Sequence, residues 1–327
     1  MNLEIHYDKV LKKASKGELE VMKSLLDKYP EILNKPCEGH NRTILWEAVN
    51  KNRIPLVEFL IQKGADVNIP GRYRSQTFVM LKPYCIAVKN KNEITQNLIL
   101  ANGHQMDIFS LSYLGKVDEV IRAISDNKEL LNQTQKEDIL WKVTPLHFAV
   151  VSKKYDTVKE LLKMGSEPKT HSKLLYDIAC RTNQINIIKL LTKYGANPNE
   201  VDVFSVFYNS SDEVINYFVD NGLDCDKLTN YEWPPIVYLC RGDKGENPDK
   251  VKKLIKHIKN INAQTPNGVS ALHASAKAGF AKVTQLLIDN GANVNIKDSK
   301  GKTPLDYSRM YKRKNTEEIL FENNGTL

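Results

Sequence analysis

A pattern that restarts about every three dozen residues limits the folds open to this chain more than any other feature. Ser270-Ala271-Leu272-His273-Ala274 opens a segment that closes on Asn290-Gly291-Ala292-Asn293-Val294-Asn295, and Thr303-Pro304-Leu305-Asp306 restarts it. Thr144-Pro145-Leu146-His147-Phe148-Ala149 is the same opening far upstream. Glycine-centred closings recur at Gly64-Ala65-Asp66-Val67-Asn68, Gly195-Ala196-Asn197-Pro198-Asn199 and Gly222-Leu223-Asp224-Cys225-Asp226. Aligned on the threonine position, units start near residues 8, 43, 82, 106, 144, 174, 201, 234, 270 and 303, with gaps of 35, 39, 24, 38, 30, 27, 33, 36 and 33. A fixed period in this range marks stacked supersecondary units.

The residue types explain the unit. The Thr144 hydroxyl is suited to cap the first amides of a helix. Pro145 fits the first helical position, where its missing N–H costs nothing. Leu146 and Ala149 then point inward at helical spacing. A second helix shows the same apolar stripe at Val158, Leu161 and Leu162, and again at Val283, Leu286 and Leu287. The glycine that follows suits a left-handed helix end, and the Asp/Asn-x-Asn after it suits a turn into the next unit.

These motifs resemble the ankyrin-repeat family over essentially the whole chain. The units at 144, 270 and 303 match closely and those at 43 and 174 clearly, whereas those at 8, 82, 106, 201 and 234 are degenerate. The resemblance implies an all-α solenoid of about ten helix-turn-helix repeats with β-turn or hairpin fingers. It also implies a partner-binding surface formed by first helices and fingers. Residues 1–36 are expected to cap the N-terminal end and 303–327 the C-terminal end, with 1–327 forming a single solenoid. Length alone, 327 residues, would suggest about two globular domains. A solenoid removes that expectation, because each repeat completes its core against its neighbours.

Composition narrows the function classes. No apolar run approaches the roughly 18–20 residues of a membrane span, so no integral membrane segment is expected. The N-terminal stretch Met1 to Asp8 has early acids and no apolar core, unlike a secretory leader. Cysteines 37, 85, 180, 225 and 240 are odd in number and lack a CxxC spacing. That argues for a reducing, cytoplasmic setting and against a disulfide framework or metal site. The net charge of +8 comes from lysines spread along the sequence, which speaks for solubility more than for nucleic acid.

Interruptions of the repeat are where function is sought, because stacking does not require them. Pro70 to Phe78 carries Arg72, Tyr73 and Arg74 on an extended finger. Gln133 to Val143 ends near Trp141, which either contacts a partner or packs against the short fourth unit. Tyr231 and Trp233 precede the eighth unit at a finger position. Arg241 to Asp249 is a polar insertion between the helices of that unit. Lys89, Lys91, Lys153 and Lys302 complete the predicted partner surface. Arginine and aromatic residues are favoured at binding hot spots.

No enzyme signature survives inspection. His147 and His273 hold the fourth motif position, where the resemblance implies intra-repeat hydrogen bonding. The cysteines all fall within the repeats or in one finger, with no room for a triad. There is no P-loop, kinase signature or metal-ligand spacing, and no cofactor is expected. The leading expectation is a non-catalytic, monomeric module that binds a protein with acidic patches. Abundant Asn, Lys and Ile and the acidic tail Thr316 to Glu322 suggest an effector of an intracellular bacterium, acting in a host cytoplasm. The alternatives are an adaptor that recruits a ubiquitin ligase and a peripheral membrane or phosphoinositide binder using the basic helix Lys250 to Lys259.

Overall fold

The computed structural model describes residues 7–39, 41–73, 78–136, 142–229, 232–242 and 245–326. Its helices come in pairs, a first helix and an antiparallel second helix, joined by a tight turn in every pair but the eighth. The chain divides into two compact units, Met1–Pro168 and Lys169–Leu327.

The first unit holds five pairs: α1 (Tyr7–Lys16) and α2 (Leu19–Lys28), α3 (Ile44–Asn50) and α4 (Ile54–Gln62), α5 (Pro83–Lys89) and α6 (Glu93–Ala101), α7 (Ile108–Leu114) and α8 (Val117–Asp126), α9 (Pro145–Val151) and α10 (Tyr155–Lys163). The second holds α11 (Ser172–Arg181) and α12 (Ile185–Lys193), α13 (Val203–Asn209) and α14 (Asp212–Asp220), α15 (Pro235–Leu239) and α16 (Pro248–Ile255), α17 (Ala271–Ala278) and α18 (Ala281–Asp289), α19 (Pro304–Met310) and α20 (Lys314–Glu322). Within each unit first helices pack on first helices, α1 on α3 through to α9 and α11 on α13 through to α19.

The helix starts follow the motif. The Thr144 and Ser270 backbone N–H groups donate to Nδ1 of His147 and His273 at 3.0 and 3.2 Å, and Thr303 donates to Asp306 at 2.8 Å. Both histidines are fully buried, so each is a capping residue locked beneath its own helix. Where the sequence motif fades, an acid takes the cap at two first helices, and Asn92 caps the second helix α6. Asp107 accepts from Ser110 N–H at 2.7 Å, Asp202 from Phe204 N–H at 2.8 Å and Asn92 from Thr95 N–H at 3.0 Å.

Asparagine side chains join one repeat to the next. Asn68 Oδ1 accepts from Gln105 N–H at 2.8 Å while its amide donates to Gly103 O at 2.9 Å. Asn262 and Asn295 hold the following closings the same way, accepting from Asn293 N–H at 2.8 Å and Thr326 N–H at 2.6 Å. The last asparagine of each Asp/Asn-x-Asn closing is therefore an inter-repeat clamp as well as a turn residue.

The cores are mostly apolar. Trp46, Tyr176, Phe148, Phe207 and Phe218 are the largest fully buried side chains. Burying each such side chain stabilises by roughly 1.5–3 kcal/mol. The insertion in the eighth pair is tied down at its C-terminal end: Glu246 accepts from Val283 N–H at 2.9 Å and Asn247 caps α16. The acidic stretch Thr316 to Glu322 forms most of α20, with Thr316 and Leu320 buried.

Candidate functional site

Two regions combine half-buried aromatics with cations, one in each unit. In the second unit the first helices α11, α13 and α15 lie side by side. Phe204 and Tyr208 stand one helical turn apart on α13 and stack at 4.8 Å. Phe204 also meets the ring of Tyr238 on α15 edge-on at 4.5 Å. Trp233 adds a fourth ring, edge-on to Tyr238 at 6.2 Å. The Arg241 guanidinium lies over both, 5.3 Å from the Trp233 ring and 5.7 Å from that of Tyr238. All four rings are only partly buried, and Arg241 is exposed. A hairpin turn presents Trp233: Thr229 N–H donates to Trp233 O at 2.9 Å, and Glu232 takes a left-handed φ of 59°.

Next to this cluster, Asp177 on α11 is held by burial and by the nearby Asp202 well above the usual carboxylate range, at about 6. Arg181, Lys173 and a hydrogen bond from Ser205 pull in the opposite direction. Its Oδ1 is buried without a hydrogen-bond partner. A carboxylate kept in such surroundings is costly, and perturbed groups of this kind concentrate at functional surfaces.

In the first unit the finger between α4 and α5 is a short antiparallel ribbon, β1 (Gly71–Arg72) and β2 (Met80–Leu81), with Gly71 opposite Leu81 and Arg72 opposite Met80. Its base is built from the inside. Trp46 Nε1 donates to Leu81 O at 2.7 Å. Gln135 brackets Met80, accepting from its N–H at 3.0 Å and donating to its carbonyl at 2.8 Å. Arg42 stacks 4.5 Å over Trp46, pairs with the buried Glu47 at 3.2 Å, and donates to the carbonyls of Arg72 at 2.8 Å and Tyr73 at 3.0 Å. Lys89 lies 4.8 Å over the Tyr73 ring.

The predicted surface residues therefore separate. Arg72, Tyr73 and Lys89 come together at the finger of the first unit, and Trp233 joins the ring cluster of the second. Lys91 and Lys153 fall elsewhere, in the left-handed turns between first and second helices, with φ of 56° and 61°. A seven-residue first helix stands between each of them and its finger. Lys302 is half-buried, and its carbonyl accepts from Asp298 N–H at 2.9 Å and contacts His273 Nε2 at 2.9 Å. Arg74, Trp141 and Tyr231 lie outside the described residues. Phe204, Tyr208, Tyr238 and Asp177 were not anticipated, and Arg241 was noted only as the start of the polar insertion. The i, i+4 pair Phe204 and Tyr208 was the available signal, but it reads equally well as core.

The thiols offer no nucleophile. All five cysteines are buried. Desolvation pushes Cys37 and Cys225 to about 11 and Cys85 to about 12, and raises Cys180 and Cys240 as well. A thiol held protonated at neutral pH neither attacks nor binds metal readily. On α16 the Lys250 ammonium donates to Ser210 O and Lys253 pairs with Asp212, so two lysines of that basic helix serve packing against the preceding repeat. No helix among the described residues is long and apolar enough to cross a membrane.

Comparison with known proteins agrees with this architecture. The family model for ankyrin repeats (3 copies) matches residues 84–202 and 236–326, and that for the single ankyrin repeat matches 40–72. The human transient receptor potential cation channel subfamily A member 1 is 24% identical over 300 residues, covering 89% of this chain and 25% of the channel. A putative ankyrin repeat protein of fowlpox virus (strain NVSL) is 24% identical over 320 residues, covering 92% of this chain and 46% of its own. The chain thus spans between a quarter and a half of these relatives. Among solved structures, the ankyrin repeat domain of Bcl-3 superposes with a TM-score of 0.54 at 21% identity, over 66% of this chain and 98% of that one. The human ASB11 ankyrin repeat domain gives 0.56 at 19% identity, over 68% and 100%.

Proposed function

We propose that this chain, which belongs to the ankyrin-repeat family, is a non-catalytic module that binds a partner protein through the first helices and fingers of its repeats. The observation that carries the reading is the cluster of Phe204, Tyr208, Trp233 and Tyr238 under Arg241. Core packing does not call for four partly exposed rings and a stacked guanidinium, whereas protein interfaces place their hot spots on such groups. Arg241, and Lys173 and Arg181 flanking Asp177, bias the face toward a segment that brings acidic side chains. The Arg72–Tyr73 finger with Lys89 offers a second, smaller contact of the same chemistry.

The acidic stretch Thr316 to Glu322, read from sequence as export-like, lies within α20 with Leu320 buried and Glu317 paired to Arg309 at 2.8 Å. That favours a structural capping role for it, and an effector role then rests on composition alone.

The test is affinity capture from native and candidate host lysates with the wild-type chain, Trp233→Ala and Tyr73→Ala. Trp233→Ala should lose the captured partner and Tyr73→Ala should weaken it, with binding falling as salt rises. Identical partners recovered by all three chains would refute this choice of surface.

A further inference from the structure

The fingers of the first unit are not evenly placed. Long segments, Lys63 to Lys82 and Asn127 to Thr144, join α4 to α5 and α8 to α9, whereas only Asn102 to Asp107 join α6 to α7. That shortfall is the gap of 24 in the repeat spacing. One finger of the row is therefore missing, and among the described residues the β1–β2 ribbon gains no third strand. A hollow of about 560 Å³ lies between the three segments, with Met80, Met106 and Gln133 in its walls.

Side chains take over the edges of the ribbon. Arg72 stands opposite Met80, and Met80 turns its N–H and C=O outward, away from β1. Arg42, from the preceding finger, donates to the Arg72 carbonyl on the β1 side at 2.8 Å. Gln135, from the segment between α8 and α9, takes both groups of Met80, accepting from the N–H at 3.0 Å and donating to the C=O at 2.8 Å. One side-chain amide thus makes the pair of bonds that a neighbouring antiparallel strand would make with this residue. Gln135 and Met80 are 6% and 5% exposed. Buried backbone groups that lose their partner carry the full desolvation penalty, so the ribbon depends on this reach.

The link is anchored at both ends. The Gln135 N–H donates to Val143 O at 3.1 Å across its own segment. On the other side β2 pairs with β1, whose end carries Arg72 and Tyr73 under the hold of Arg42. A displacement of the α8–α9 segment is therefore passed through one amide to the finger that presents Tyr73.

We infer that Gln135 is a positioning residue for the Arg72–Tyr73 contact: it stands in for the missing finger and makes the fingers on either side of the gap respond to a partner as one body. The coupling of the two fingers stands on the geometry alone. Its use in partner binding rests on the surface proposed above.

The test is hydrogen exchange of the full chain, read at Gly71–Arg72 and Met80–Leu81. Gln133→Ala and Asn262→Ala serve as controls. Gln133 lines the same hollow with no hydrogen bond to Met80 among the described residues, and Asn262 is a clamp of the second unit. Gln135→Ala should raise exchange across the ribbon by about tenfold or more, while α5, α7 and α9 keep their protection and the controls leave the ribbon unchanged. Should Gln135→Ala unfold the first unit, Gln135→Glu carries the test. Its acid form accepts and donates as the amide does, whereas its carboxylate sets an oxygen against the Met80 carbonyl. Ribbon protection relative to the wild type should be near normal at about pH 5 and fall about tenfold or more at about pH 8.

With a captured partner, Gln135→Ala should weaken binding as Tyr73→Ala does, and the double variant should lose no more than either, because one residue acts through the other. The inference is overturned if exchange at the ribbon ignores Gln135→Ala and Gln135→Glu, if protection falls equally in α5, α7 and α9, or if the two binding losses add. Failure to capture any partner would sink the proposed surface and leave the exchange result, and with it the coupling, in place.

Discussion

Trp46 in the first unit and Trp233 in the second are each stacked under an arginine, Arg42 at 4.5 Å and Arg241 at 5.3 Å. Trp46 is completely buried, its N–H is spent on Leu81 O, and its arginine is spent on Glu47 and two finger carbonyls. Trp233 is half-exposed beside three other rings, and Arg241 is exposed above it. The same pair chemistry thus builds a finger in one unit and leaves a surface in the other. What separates the two is how much of the pair's hydrogen bonding and area the fold has already used.

Three substitutions sharpen or break this contrast. The largest effect is expected from Trp46→Ala, which opens a large cavity and frees Leu81 O. It should cost about 3–5 kcal/mol in denaturant unfolding, and a loss below about 1 kcal/mol would mean that the finger does not depend on this base.

Next comes Asp177→Asn, on the face that carries the ring cluster. Asp177 titrates at about 6 when folded, above its ordinary 3.8. Its contribution to stability is therefore intact below the unfolded value and is lost as pH rises through the folded one. That rise corresponds to at most about 3 kcal/mol. Removing the charge should stabilise the chain by about 1–2 kcal/mol at pH 7.5, with the gain shrinking toward pH 4. A stabilisation independent of pH would contradict the burial argument.

The smallest effect on stability belongs to Trp233→Ala, below about 1 kcal/mol by thermal melting, despite its loss of partner capture. A loss comparable to that of Trp46→Ala would make Trp233 a core residue and erase the comparison.

The repeat was legible because its signals are local. Thr144 with His147 and Ser270 with His273 announce capped helices within four residues, and the apolar stripes follow at fixed spacing. The degenerate repeats were harder because Asp107 and Asp202 replace the threonine cap and carry no proline after them, and the first helix α5 starts on Lys82, whose side chain makes no cap hydrogen bond. The clamps were visible as residues but not as clamps. Asn68 reaches Gln105 and Gln135 reaches Met80, across 37 and 55 residues, where sequence spacing gives no hint of contact.

The candidate site was less legible for the same reason. Trp233 was identified at an interruption, but Phe204 and Tyr208 meet Tyr238 only once α13 lies against α15. Lys91 and Lys153 were assigned to the partner surface with the finger residues, whereas the fold carries them a helix length away to the turns between first and second helices.

The central claim is that the first helices and fingers, with Trp233 and its neighbouring rings among them, receive the partner. Hydrogen exchange of the chain alone and with its captured partner tests it most directly. Added protection at Thr229–Trp233 and along α13 and α15 is the expected result. Protection confined to the second helices α12, α14 and α18, with the Trp233 turn exchanging as before, would contradict it.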